Sequence, residues 1–509
     1  MASEIDALER QGTWVLESLP DGKKALGSKW VYTEKRDENG KLIRLKARLV
    51  CLGNHQVEGM DYNETFAPVA KMSTVRTFLA VASVKNWEVH QMDVHNAFLH
   101  GDLEEEIYMK IPPGFHKNNT DKVCRMKKSL YGLKQAPRCW FEKLSTALEK
   151  YGFKQSYSDY SLFTLSKGSV QLNVLVYVDD MIVAGNNTFE LNSFKAYLSQ
   201  CFKMKDLGAL EYFLGLEVAR NKEGFYICQR KYALDIILET GLLGAKPADF
   251  PMEQNHKLAL AEGKDLKDGE RYRRLVGRLI YLAVTRPDLA YSVHILSQFM
   301  QAPKEVHWEA ALRVVRYLKR CPGQGILLRS DSALELEGWC DSDWASYPLT
   351  RRSLTGWFVL LGLSPMSWKT KKQHTVSRSS TKAEYRSIAA LTCELKWLQQ
   401  LLRDLGVEHK QGMRVFCDSQ SALHIAQNPV FHERTKHIAV DCHFIRDAIK
   451  KGIICPSYVS TKVQLADIFT SRYFHKLQLA DISYETPSRK DWLDGLMKPT
   501  RRSLLRHVV

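Results

Sequence analysis

The stretch LNVLVYVDDMIVAG, residues 172–185, decides the fold. Two apolar runs flank the paired Asp179 and Asp180, a strand–turn–strand pattern that would set two carboxylates side by side at a hairpin tip. Read alone, an Asp pair is an ordinary turn signal. Toward the N-terminus, EVHQMDV (88–94) reads as a second apolar strand that brings Asp93 to its end, just before the helical turn NAFLHGDL. Asp93 alone would serve equally as an N-cap. Three carboxylates gathered at neighbouring strand ends repel one another and need raised pKa values or bound cations. Two Mg²⁺ ions, with Mn²⁺ as a substitute, meet that need, prefer hard oxygen ligands and can drive displacement at phosphorus.

The chain around this hairpin has 509 residues, 45% hydrophobic and 26% charged, enough for about three domains with ordinary cores. Its 73 Lys and Arg against 57 Asp and Glu leave a net charge of +16, a balance suited to a polyanion such as nucleic acid. The eleven cysteines form no CxxC pair, which argues for a reducing compartment and against structural zinc. The acidic start MASEIDALER and the lack of any long apolar run give the expectation of a protein neither secreted nor membrane-embedded.

Further patterns order the chain. WVYTEKRD and LIRLKARLVCLG flank Asn39-Gly40 as a β-hairpin. A polar stretch, residues 254–270, reads as a loop or hinge, and from Tyr272 to Arg320 the pattern turns helical. In EVHWEAALRVVRYLKR the residues Val306, Ala310, Ala311, Val314, Val315 and Leu318 form an apolar stripe. Arg313, Arg316, Lys319 and Arg320 lie on the other face, to track phosphates or to be solvated. Strand patterns then resume in LELEGWCDSDWA and TGWFVLLGL, followed by a helix from Thr381 and the strand MRVFCDS, a second α/β domain ending near Thr470. The last 39 residues are polar, basic and weakly periodic, with loose order expected. In this second region Asp341, Glu384, Asp418 and Asp467 sit on four separate elements, and such carboxylates could converge on two metal ions.

In chain order, KARLVCLG, DYNETFAPVAKMSTVR, QMDVHNAFLHGDLEEEIYM, SLYGLKQAPR, YVDD, YFLGLEV, TRPDLAYSV, SSTKAEY, FCDSQSA and RTKHI carry a resemblance. The chain resembles the reverse transcriptase and ribonuclease H part of copia-type retrotransposon Pol polyproteins from about Ile5 to Thr470. The resemblance implies an α+β fold: a right-hand polymerase with fingers and palm over residues 1–250, a thumb or connecting helical region over 251–330, a ribonuclease H-like domain over 331–470 and a diverged tail over 471–509. It implies an RNA-directed DNA polymerase with Asp93, Asp179 and Asp180 as catalytic metal ligands, and a ribonuclease H with Asp341, Glu384, Asp418 and Asp467, two Mg²⁺ at each site. Lys46, Arg48, Val94, Phe98, Tyr131, Gly132 and Lys134 take nucleotide-facing places. Among them Phe98 excludes a ribose 2′-hydroxyl, Lys46 and Arg48 match the segment that meets the triphosphate, at most one of them as its ligand or both solvated, and Tyr131, Gly132 and Lys134 face the templating pair. The implied partners are RNA template, DNA primer, RNA–DNA hybrid and dNTPs, with no membrane. The implied setting is cytoplasmic, within a virus-like particle, with the nucleus as an alternative.

Some residues depart from the family pattern. Lys382 stands where the family often has Glu, and the loop STKVQLAD lacks the histidine that many ribonucleases H carry before the last aspartate. His437 and His443 fall on the preceding helix, as structural or cap residues. No zinc-knuckle, protease or integrase signature occurs. Because Met1 falls where the family pattern is already inside a longer polyprotein and the resemblance fades after Thr470, the alternative reading is a truncated relic that binds nucleic acid without turnover.

Overall fold

The computed structural model describes residues 1–36, 41–115, 122–253, 256–428 and 439–470, without the side chains of residues 2, 3, 35, 36 and 46. The expected loose tail, His437 and the Asn39-Gly40 turn lie outside the described residues. The fold mixes helices and sheets, the α+β class, and its contacts group the chain into two compact units. One comprises Met1–Ala70 and Glu88–Ala209, the other Lys71–Trp87 and everything from Leu210.

The first unit is built on a six-stranded antiparallel sheet in the order Met204–Ala209, Glu88–Val94, Asp180–Gly185, Val170–Tyr177, Leu162–Lys167, Lys154–Gln155. Period-two alternation puts Met92, Val94, Val174, Val176, Met181 and Val183 on one face. There they pack with Trp140, Leu144 and Leu148 of the helix Ala136–Tyr151 and with Leu191, Phe194 and Leu198 of Thr188–Cys201. Asn187 caps the second helix by accepting from Glu190 N at 3.0 Å. Asp93 stands on the opposite face, out of step with Met92 and Val94. The strands Ser28–Arg36 and Leu42–Cys51 pair as a hairpin, and a four-stranded sheet completes the unit.

The second unit contains a helical cluster and a mixed sheet. The helices Arg230–Glu239, Gly269–Leu282, Ala290–Ser297 and Glu305–Leu318 share one core around Tyr272, Leu279, Leu296 and Val315. The apolar stripe expected on the last of these needs correction: Val306 is 40% exposed, and His307 is buried in its stead. The His307 ring accepts from Lys304 N at 2.9 Å and stacks on Phe299 at 4.0 Å, so an imidazole fills the place expected for an aliphatic side chain. The basic face is also not a free phosphate track. Arg313 pairs with Glu253 at 3.1 Å, Arg320 with Asp249 at 2.9 Å, and Lys319 Nζ donates to Ala245 O at 2.5 Å. In TRPDLAYSV, Arg286 grips Asp288 through two hydrogen bonds of 2.9 and 2.7 Å, both side chains being buried.

The mixed sheet runs Ser364–Lys372, Leu354–Leu361, Leu336–Asp343, Met413–Cys417, Ile454–Tyr458, antiparallel among the first three strands and parallel thereafter. The long helix Ser380–Asp404 lies on it, with Leu391 pressed against Gly338. Helix Met72–Val84 also joins this unit. Its fully buried Arg76 donates to Met366 O at 2.7 Å and Val284 O at 2.8 Å and stacks on Trp368, and burial lowers that guanidinium to about 9.

Candidate active sites

In the first unit, Asp93 and Asp180 are direct cross-strand partners at the end of the antiparallel pair Glu88–Val94 and Asp180–Gly185. Opposed residues in such a pair project from the same face with Cβ atoms about 5 Å apart. Asp179 precedes Asp180 in the turn, and its carbonyl accepts from Val94 N at 2.9 Å. Backbone bonding thus ties the turn to the residue next to Asp93. Gln91 Nε2 donates to Asp180 Oδ1 at 3.5 Å. All three aspartates are half-buried and offer the hard oxygen donors a divalent cation prefers, although their carboxylate oxygens do not all lie within 4.8 Å of one another.

Three residues expected to face a nucleotide form one stack. The Tyr131 ring meets Phe98 edge-on at 5.1 Å and carries the Arg48 guanidinium 4.7 Å from its centroid. Val94 is a core residue, 2% exposed, whose part in the site is its backbone N–H. Gly132 holds φ +94, and a Cβ there would come 2.1 Å from Cys51 O, so its close approach is to the end of the strand Leu42–Cys51. Lys134 Nζ donates to Tyr62 Oη at 3.0 Å and to Gln56 O at 3.3 Å. The Lys46 side chain lies outside the described residues, while its backbone pairs with Thr33.

In the second unit, Asp341 lies near the end of Leu336–Asp343, Glu384 in the second turn of Ser380–Asp404, Asp418 just past Met413–Cys417 and Asp467 in the short helix Leu465–Phe469. The Ser379 side chain caps the Glu384 helix by accepting from Lys382 N. Glu384 is 6% exposed and accepts from Ser342 N at 3.0 Å, which ties it to the Asp341 strand. Glu384, Cys417 and Asp418 offer ligand atoms within 4.8 Å of one another. Thr461 Oγ1 donates to Asp418 Oδ2 at 2.6 Å, and Thr470 Oγ1 donates to Asp341 Oδ2 and contacts Asp467 O at 3.4 Å.

The charge on Asp341 and Glu384 is disfavoured where they stand. Burial pushes the Asp341 carboxyl up to about 6; the Thr470 hydroxyl opposes that rise and the Asp418 charge adds to it. Glu384 is raised well above the carboxylate range by burial and then by Asp341, Cys417 and Asp418. A cation among Glu384, Cys417 and Asp418 would relieve the like charge around Glu384. His443 is an exposed residue of the helix Ala439–Lys450.

Residues 11–254 match the family described as reverse transcriptase (RNA-dependent DNA polymerase). A retrovirus-related Pol polyprotein from transposon RE2 of Arabidopsis thaliana is 44% identical over 492 residues, 96% of this chain and 33% of that one. The putative transposon Ty5-1 protein of Saccharomyces cerevisiae is 33% identical over 308 residues, 60% of this chain and 100% of that one. The chain belongs to the copia-type retrotransposon Pol family. It spans about a third of the length of the Pol polyproteins it matches. A foamy viral protease-reverse transcriptase solved in complex with double-stranded DNA is similar with a TM-score of 0.47 and 11% identity, over 90% of this chain and 68% of that one.

Within this Pol segment, several residues around the two clusters escape a reading of the sequence. Gln91, Trp140, Cys417 and Thr470 each touch a carboxylate or the turn that bears one. Cys417 and Thr470 border quoted acidic motifs and were findable by adjacency. Trp140 lies 38 residues from the carbonyl it binds and left no local signal.

Proposed function

We propose that this Pol segment is an RNA-directed DNA polymerase whose second centre is a ribonuclease H acting on the RNA of RNA–DNA hybrids. The observation that carries the polymerase reading is the direct pairing of Asp93 with Asp180, with Asp179 held beside them by Val94 N. In this reading Asp93, Asp179 and Asp180 hold divalent magnesium. Bound there, the metal supplies activation of a primer 3′-hydroxyl and neutralisation of charge on the attacked phosphate. The aspartates keep the reacting groups at the hairpin tip. Phe98, braced edge-on by Tyr131, blocks space a ribose 2′-hydroxyl would need, and Arg48 offers a fixed cationic fork to phosphate.

The ribonuclease H reading is supported by Asp341, Glu384, Asp418 and Asp467 on four elements of one mixed sheet assembly, with Glu384 and Asp418 in ligand-forming range. It takes residues 331–470 as that domain, 1–250 as fingers and palm, 251–330 as the connecting helical region and 471–509 as the diverged tail. The substrates are RNA template, DNA primer, dNTPs and hybrid. The setting is the cytoplasm, in a virus-like particle. No described helix is long and apolar enough to cross a membrane.

The test is dNTP incorporation on a primed RNA template with Mg²⁺, comparing the full chain with an Asp179→Asn, Asp180→Asn double variant. Incorporation by the wild type alone supports the polymerase. Equal incorporation by both removes it.

A further inference from the structure

We propose that Trp140 is a positioning residue for the polymerase centre, its indole N–H fixing the backbone turn that presents Asp179. This inference rests on the polymerase reading of Asp93, Asp179 and Asp180. Tyr177 and Asp180 are the last ladder pair of the hairpin, so Val178 and Asp179 form a two-residue turn. Tight hairpins of this size favour residues that accept positive φ, chiefly Gly and Asn. Val178 instead holds φ 57, in a region where a β-branched side chain crowds the backbone. Such a conformation persists only where its surroundings over-determine it.

Two hydrogen bonds supply that determination. Val94 N donates to Asp179 O at 2.9 Å, and Trp140 Nε1 donates to Val178 O at 2.7 Å. The turn is therefore clasped on one side by the Asp93 strand and on the other by the helix Ala136–Tyr151. Trp140 has little freedom to swing away. It is 1% exposed and packs edge-on against Phe202 at 5.1 Å and tilted against His100 at 5.8 Å. A donor aimed at a strained turn beside the reacting groups is preorganisation that a purely space-filling aromatic would not provide.

Bulk and donor can be separated. Trp140→Phe keeps most of the ring volume and deletes the N–H, whereas Trp140→His keeps an N–H at the matching place of the five-membered ring and deletes the benzo portion. On the full chain, above the imidazole titration range, we would measure thermal midpoint, primer–template Kd and single-turnover incorporation. Trp140→His is expected to be the less stable of the two and yet the faster, within about fivefold of wild type. Trp140→Phe is expected to lose at least about tenfold in rate while primer–template Kd stays within about twofold. Rates that follow the order of stability would overturn the proposal.

Should only one variant fold, its rate decides. A folded Trp140→Phe within about twofold of wild type, or a folded Trp140→His slowed about tenfold or more, would overturn it equally. Asp179→Asn separates this failure from that of the underlying reading. If Asp179→Asn incorporates normally, the polymerase assignment itself is wrong. If it is inactive while the Trp140 variants track stability, only the positioning role is lost.

Discussion

The two carboxylate clusters are built in opposite ways. Asp93, Asp179 and Asp180 come from one antiparallel strand pair and its turn, half-buried, with backbone hydrogen bonds setting their spacing. Asp341, Glu384, Asp418 and Asp467 come from two strand ends, a long helix and a short helix, and burial together with neighbouring like charge raises the carboxyls of Asp341 and Glu384. The first design gets its geometry from the sheet register. The second relies on tertiary packing and carries electrostatic stress until a cation arrives. Function at the first should depend on the turn, and stability at the second on charge.

The largest expected effect sharpens that separation. Asp180→Asn should lower dNTP incorporation by about a thousandfold or more while leaving hybrid cleavage unchanged, and Asp418→Asn should do the reverse. Parallel incorporation and RNA-cleavage assays on each variant check both. If either substitution abolished both activities, the centres would not be independent.

A second prediction concerns charge. Asp341 binds protons more tightly in the folded state, at about 6, than in the unfolded chain at the ordinary carboxylate value. Its contribution is fully present below pH about 4 and is lost as pH rises to about 6, a change of about 3 kcal/mol. Chemical denaturation in chelator across that window should show this component disappear in Asp341→Asn. Added Mg²⁺ at neutral pH should raise the stability of wild type more than that of the variant. A pH profile unchanged by Asp341→Asn would put both centres on the same footing.

An opposing group elsewhere in the second unit calibrates this result. His294 is pushed down to about 4 by burial, with the Lys372 charge adding to it. The unfolded chain therefore takes up a proton first, and stability falls as pH drops from about 6.5 to about 4, by up to about 3 kcal/mol. His294→Phe should flatten that fall in the same denaturation experiment. If the acid loss persisted undiminished in the variant, it would have to come from other groups.

The smallest effect lies beside the first centre. Arg48→Lys removes a planar cation from the Tyr131 ring, an interaction of about 0.5 to 1 kcal/mol. The KM for dNTP should rise about two- to fivefold with thermal stability unchanged. A change in stability without a change in KM would make the stack structural.

How much of this was legible in the sequence follows from how local each feature is. The hairpin around Asp179 and Asp180 is a period-two pattern with a turn in the middle, and both strands could be read directly. That Asp180 stands opposite Asp93 is a matter of register between strands almost ninety residues apart, and only the motif order of the family hinted at it. The strand order of the mixed sheet, with Ser364–Lys372 at its edge, was hidden for the same reason. The burial of His307 in place of Val306 depends on Phe299 and Lys304, and the basic face of that helix on acids at 249 and 253. Membership of Met72–Val84 in the second unit rests on Arg76 reaching carbonyls more than two hundred residues away. Composition and periodicity have no access to such pairings.

Cation binding at the two clusters can be observed without any turnover. The most direct measurement is anomalous diffraction from crystals of the full chain soaked in Mn²⁺ with a primer–template bound. Anomalous peaks are expected among Asp93, Asp179 and Asp180 and among Asp341, Glu384, Asp418 and Asp467. Peaks confined to other surface acids, with both clusters empty, would contradict that binding.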